Sequence, residues 1–142
     1  MRTKRDEQII EIFKKNESIA VFGMSRSMKK PSNWIPVYLS TRNYNIIPIN
    51  PQAAHIKGWK SYPDLRSIPG QIDILQIFRP PEDALDIVRK AIERRKSRGD
   101  IKVIWLQEGE DEEARELAES EDITFIQGLC MYREYKRLML KS

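Results

Sequence analysis

The sequence predicts a doubly wound α/β fold, with three layers built around a parallel five-stranded sheet. Three observations predict it. Five short apolar runs, SIAVFG, YNIIPIN, IDILQIF, IKVIWLQ and ITFIQ, are rich in β-branched residues and have the length of strands. Amphipathic segments of helical length separate most of them, and such alternation requires right-handed crossovers and a parallel sheet covered on both faces. The first run ends on Gly23, where a strand hands over to a helix.

Taken in order, Thr3 and Asp6 form a capping box that opens a helix within residues 1–16, and its stripe of Ile9, Ile10 and Phe13 is expected to cover the sheet edge. SIAVFG is a buried strand. Asn33 is the expected N-cap of the next helix, because Pro36 then falls in the first turn, where a missing N–H does no harm. Val37, Tyr38 and Leu39 continue it. The second strand runs from Tyr44 to Asn50, and Asn50-Pro51 closes it. Residues 51–70 hold too many turn residues for a full helix, so an irregular crossover with one helical turn after Pro63 is expected. Ile72 to Phe78 is the third strand, and the following helix turns Ala84, Ile87, Val88, Ala91 and Ile92 inward and ends at Gly99. Ile101 to Gln107 is the fourth strand, EDEEARELAESE is a helix with an acidic first turn, and Ile123 to Gln127 is the fifth strand.

At 142 residues the chain fits one domain, 1–142, which buries roughly two-thirds of its unfolded surface without staples. Cys130 is the one cysteine, no apolar run reaches the ~20 residues of a membrane span, and MRTKRDEQII has no apolar signal core. A cytoplasmic protein with no membrane partner is expected. Charged residues are 32% of the chain but nearly balance at +4, short of the basic stripe of a nucleic-acid binder. The densest basic run, Arg94, Arg95, Lys96 and Arg98, is expected to be a solvated helix end opposing the dipole.

In a doubly wound sheet a ligand lies beyond the carboxyl ends of the strands, so the loops after Phe22, Ile49, Phe78, Leu106 and Ile126 define the candidate site. The first of these carries a single glycine instead of G-x-G-x-x-G, and around it stand Ser25, Arg26, Lys29 and Lys30, hydroxyl and cationic donors suited to a ligand with several negative charges. A nicotinamide cofactor asks for a carboxylate after the second strand, where this chain has Asn50-Pro51. A phosphorylated ribose is compatible, since Lys57 and Arg79 add positive charge from neighbouring loops, and a 3′-phosphorylated ADP unit suits the set. Phe78, Arg79, Pro80 and Pro81 offer an apolar shelf beside a guanidinium, which can flank a purine; equally, the prolines can start a helix and Phe78 can be core. Ser25 and Arg26 likewise can cap a turn with no ligand.

The segments VFGMSRSMKKPSNWIPVYL, YNIIPINP, IDILQIFRPPED and VIWLQEGEDEEA, with GLCMYREY near the end, together span about residues 17 to 134. In that order they resemble the small CoA-binding-domain proteins, which are similar to the nucleotide-binding domain of the succinyl-CoA synthetase alpha subunit. The resemblance implies a Rossmann-like fold with Gly23, Met24, Ser25 and Arg26 near the pyrophosphate and Lys30, Pro31 and Ser32 opening the first crossover helix. It also implies Pro51 and Lys57 beside the nucleotide phosphates, Arg79, Pro80 and Pro81 beside the adenosine, and Gln107, Glu108 and Gly109 on the pantetheine side. Where the family commonly has an Asp-Arg-Cys-Pro run, this chain has Gly128-Leu129-Cys130-Met131, keeping the cysteine and a later acid, Glu134. The synthetase's phosphorylated histidine belongs to a further domain, so ligase activity is not carried over.

No chemistry beyond binding is expected. His55, the only histidine, has no partner at ligand spacing and is expected on the surface. Cys130 is expected to be a buried small hydrophobe, the acids of EGEDEEARELAESED a solvated helix face, and Trp34, Trp59 and Trp105 packing residues. The leading expectation is a non-catalytic CoA or acyl-CoA binder. Two alternatives stand beside it: an NAD(P)-binding sensor or minor oxidoreductase, and a protein-interaction scaffold using a C-terminal helix, residues 129–140. That helix carries Met131, Tyr132, Tyr135, Leu138 and Met139, expected to dock on the protein's own core; a protein partner or homo-oligomer is left open.

Overall fold

Apolar side chains on alternate residues of the strands point to opposite faces, and this divides the core in two. In the computed structural model, which describes residues 1–140, β1 (Ser18–Phe22), β2 (Asn45–Ile49), β5 (Ile74–Ile77), β6 (Val103–Leu106) and β7 (Thr124–Gln127) form one parallel sheet in the order β2-β1-β5-β6-β7. Residues 141–142 of the expected domain lie outside the described residues. Ile19, Val21, Ile74, Val103, Trp105 and Ile126 face one cluster, with α1 (Lys4–Lys15), α2 (Pro31–Ser40) and α5 (Met131–Met139) upon it. Ala20, Leu75, Ile77, Ile104, Leu106 and Phe125 face the other, under α3 (Ala84–Arg98) and α4 (Glu112–Ser120). The result is a Rossmann-like three-layer α/β fold.

Helix α1 starts at the expected capping box, with Thr3 Oγ1 accepting from Asp6 N–H and Asp6 accepting from Thr3 N–H, a cap that contributes about 1 kcal/mol. It lies on the face of the sheet, not over its edge: Phe13 packs against Trp105 of β6, with ring centroids 5.8 Å apart, and against Tyr135 of α5 at 5.1 Å. Its apolar stripe, Ile9, Ile12 and Phe13, packs on the sheet face around Trp105. Arg137 of α5 ties the two helices by bonding both Asp6 (2.7 Å) and Glu134 (2.7 Å). The C-terminal helix therefore docks on the core, with Met131 and Tyr135 buried.

Three further expectations are corrected. Helix α2 begins two residues before Asn33: Lys30 is its N-cap and Pro31 its first residue, a position where proline's fixed φ is favourable, and Pro36 lies inside the helix. Residues 51–70 are irregular, with a single hydrogen-bonded turn after Pro63 (Ile68 N–H to Leu65 O, 3.4 Å), but they also hold an unexpected hairpin: β3 (His55–Ile56) and β4 (Trp59–Lys60) turn at Lys57 (φ +52°) and Gly58 (φ +82°), the left-handed pair of a type I′ turn. After it the chain joins the sheet edge, Tyr62 N–H donating to Pro48 O (3.0 Å) and Asn50 N–H to Tyr62 O (2.9 Å). Pro48 is tolerated because β2 is the edge strand.

The third correction concerns the basic run. Arg94 is not solvated: its side chain is 3% exposed and pairs with Asp100, 1% exposed, at 3.0 Å. Its remaining N–H groups donate to the carbonyls of Leu65 (2.6 Å), Ile68 (2.9 Å) and Gly70 (2.7 Å). Those carbonyls are thus tied to α3 by one side chain, which fixes the path of the segment after Pro63. Arg95 donates to Ile101 O (2.9 Å), holding a buried β-branched residue at φ +59°. Lys96 and Arg98 are exposed, as expected.

Candidate functional site

The sheet order places a switch point between β1 and β5, because the chain leaves β1 outward to β2 and returns on the other side to β5. At their carboxyl ends the strands are knitted together: Gly23 N–H donates to Ile49 O (3.0 Å) and Phe78 N–H to Phe22 O (2.9 Å). Gly23 has φ +88°, and a Cβ there would lie 2.8 Å from Phe78 O. A side chain would push the two loops apart, so this position demands glycine.

The loop from Gly23 to Lys30 is shaped by the helix it enters. An alanine at position 36 would donate its N–H to Ser32 O, four residues back; Pro36 has no N–H, and Ser32 O accepts from Ser25 N–H instead (3.2 Å). Asn33, buried in the first turn, donates its side-chain amide to Ser25 O (2.7 Å), and Ser25 Oγ accepts from Ser27 N–H (3.0 Å). Asn33 is therefore a clamp on Ser25, not the helix cap. At the end of β2, Asn50 donates to Met24 O (3.0 Å) and accepts from Gln52 N–H (2.8 Å), so both ends of its amide bind backbone.

Between these loops opens a cleft of about 940 Å³. Of the residues the sequence pointed to, Gly23, Met24, Ser25, Lys30, Ser32, Pro51, Phe78 and Arg79 line it. Arg79 also packs its Cδ 3.3 Å from where a Gly23 Cβ would be, and it donates through Nε (3.1 Å) and Nη2 (2.9 Å) to Asp83. The other expected residues stand elsewhere. Arg26 is exposed beyond the lining, Pro31 opens α2, and Lys57 sits at the tip of the hairpin. Pro80 caps the 3₁₀ turn of Pro81–Asp83. Gln107 is buried and structural, its Oε1 accepting from Gln76 Nε2 (3.2 Å) and Met131 N–H (3.1 Å). Glu108 is exposed in the loop after β6, and Gly109 (φ +74°) packs so closely on Pro81 that a Cβ would overlap the ring.

A family model described as a CoA binding domain matches residues 17–136. The chain belongs to this CoA-binding domain family. It is 30% identical over 132 residues to the Bacillus subtilis (strain 168) protein YneT, described as uncharacterized, covering 92% of this chain and 94% of that protein. A hypothetical protein from Pyrococcus horikoshii OT3 superposes with a TM-score of 0.88 at 29% identity, covering 99% of this chain and all of that one (100%). Prb, described as the PH1109 protein redesigned for binding, gives 0.89 at 30% identity, covering 96% and 94%.

Several residues of this CoA-binding domain that line the cleft carried no signal in the sequence. Asp64, Leu65 and Arg66 arrive on the segment that Arg94 pins, and Lys90 and Glu93 come from the exposed face of α3. Spacing could not bring residues 66 and 90 to one cleft, since the path of the segment carrying Arg66 depends on the buried arginine. Four cations, Lys30, Arg66, Arg79 and Lys90, line the cleft against two carboxylates, Asp64 and Glu93. His55 is exposed on β3 and outside the lining; Cys130 is half-buried beside the aromatic cluster, less enclosed than expected. Among the described residues no three His, Cys, Asp or Glu side chains gather as a metal site.

Proposed function

We propose that this CoA-binding domain holds CoA or an acyl-CoA in the switch-point cleft and does not transform it. The observation that carries the proposal is the end of β2: Asn50 stands where a nicotinamide site keeps its ribose-gripping carboxylate, and its amide is already engaged by Met24 O and Gln52 N–H. The rest of the lining suits a phosphorylated adenosine. Gly23, Ser25, Ser32 and Lys30 would take the pyrophosphate at the start of α2, and Pro51, Leu65 and Phe78 offer apolar surface for a purine. Bound CoA would supply a thiol or thioester at the far end of its pantetheine arm. The protein's own part is to orient that carrier, since the lining pairs no nucleophile with a base: Ser25 Oγ accepts only from Ser27 N–H, and neither His55 nor Cys130 reaches the cleft.

A cytoplasmic setting accords with a lone half-buried thiol, and no helix among the described residues is long and apolar enough to cross a membrane. Titration calorimetry with CoA and NAD tests the proposal. Saturable binding of CoA with no comparable binding of NAD is expected; saturable enhancement of NADH fluorescence without any response to CoA overturns it.

A further inference from the structure

The cleft has two cations that come from outside the loops of Gly23 and Arg79. Arg66, on the wall after Pro63, and Lys90, on α3, both line it. Each is held only loosely. Arg66 Nη2 is 3.7 Å from Glu93 Oε1, with side chains 86% and 66% exposed, and Lys90 Nζ is 3.1 Å from Asp86 Oδ2, with 56% and 67% exposed. Pairs this wet contribute at most about 1 kcal/mol, so either cation turns readily toward a stronger acceptor. Arg79 differs, being bound twice to Asp83. The backbone under Arg66 is fixed, because Arg94 holds the carbonyls of Leu65 and Ile68. An exposed, weakly paired charged head therefore stands on a hydrogen-bonded backbone.

Two cations from two elements match a phosphomonoester, which carries close to two negative charges and three acceptor oxygens, better than a singly charged diester. At the end of β2, where a carboxylate would grip a free diol, Asn50 presents an amide already bonded to Met24 O and Gln52 N–H. We infer that Arg66 and Lys90 seat the ribose phosphate of CoA and set this chain's preference for CoA over dephospho-CoA. The inference rests on the CoA reading above. Asp64 and Glu93 line the same cleft, Asp64 already bonded to Ser67 and Glu93 loosely paired with Arg66.

Calorimetry with CoA and dephospho-CoA tests it on the wild type, on the double variant Arg66→Gln/Lys90→Met, and on Lys102→Met, which removes an exposed charge at the amino end of β6. The wild type and Lys102→Met should bind CoA roughly ten-fold or more tightly than dephospho-CoA, a margin typical of charge-assisted bonds, and the margin should shrink as salt rises. The double variant should lose the margin while its affinity for dephospho-CoA and its melting temperature stay unchanged. A double variant that keeps the margin, or weakens for both ligands alike, overturns the assignment alone; a wild type that binds neither ligand overturns the CoA reading with it.

Discussion

Arg94→Met removes the guanidinium that joins α3 to the cleft wall, and the structure sets the size of the effect. Asp100 is left 1% exposed with the N–H of Ile72 (3.1 Å) as its main remaining partner, and the carbonyls of Leu65, Ile68 and Gly70 lose their donors together. Breaking a buried ion pair from one side costs about 3–5 kcal/mol, most of it the stranded charge. For a chain of this size each kcal/mol lowers the melting temperature by roughly 3–4 °C, so a fall of about 10–20 °C is expected. The assay is thermal and urea unfolding of the wild type, Arg94→Met, Asp100→Asn and the double variant Arg94→Met/Asp100→Asn. The double variant should be more stable than Arg94→Met, because it no longer buries an unpaired carboxylate. A fall of less than about 3 °C in Arg94→Met, or a double variant no better than the single one, would refute this account of the buried arginine.

Two further outcomes follow from geometry. The hydrogen bond from Arg137, helped by Thr3 N–H, holds the Asp6 carboxyl down at about 2. Its folded value lies below the unfolded one, so the α1–α5 tie contributes fully above the unfolded value of about 4 and is lost as pH falls from there toward about 2. Urea midpoints should therefore drop more steeply for the wild type than for Asp6→Asn between those limits, the two curves converging at the acid end; parallel curves would contradict the tie. Gly109→Ala places a Cβ against Pro81 at a left-handed backbone and should cost about 1–3 kcal/mol, read as a lower melting temperature and partly restored by Pro81→Ala. An unchanged melting temperature would show that the two loops do not pack as described.

The strands were legible because IAVF, NIIPI, ILQI, VIWL and TFIQ are short, β-branched and covered on both faces, and no helical stripe competes with them. The capping box of α1 and the inward stripe of α3 were legible for the same local reason. Wherever an element depends on a distant side chain, the sequence misled. The hairpin at His55 to Lys60 has two-residue strands, too short for any periodicity, and only Lys57-Gly58 marks its turn. The path of the segment after Pro63 is fixed by Arg94, 24 to 29 residues later in sequence, which bonds the carbonyls of Leu65, Ile68 and Gly70. That same arginine was hidden in a run of basic residues in which Lys96 and Arg98 are exposed. At the site, Gly23, Ser25, Lys30 and Arg79 were recognisable from their loops, whereas Arg66 and Lys90 come to the same cleft only through the fold.

A crystal of the full chain soaked with CoA measures the central claim most directly. Density for the pyrophosphate beside Gly23 and Ser25, with the adenosine running between Pro51 and Arg66, is the expected result. Density for the whole ligand elsewhere on the molecule, or a cleft still empty in protein that calorimetry shows to be saturated with CoA, would contradict it.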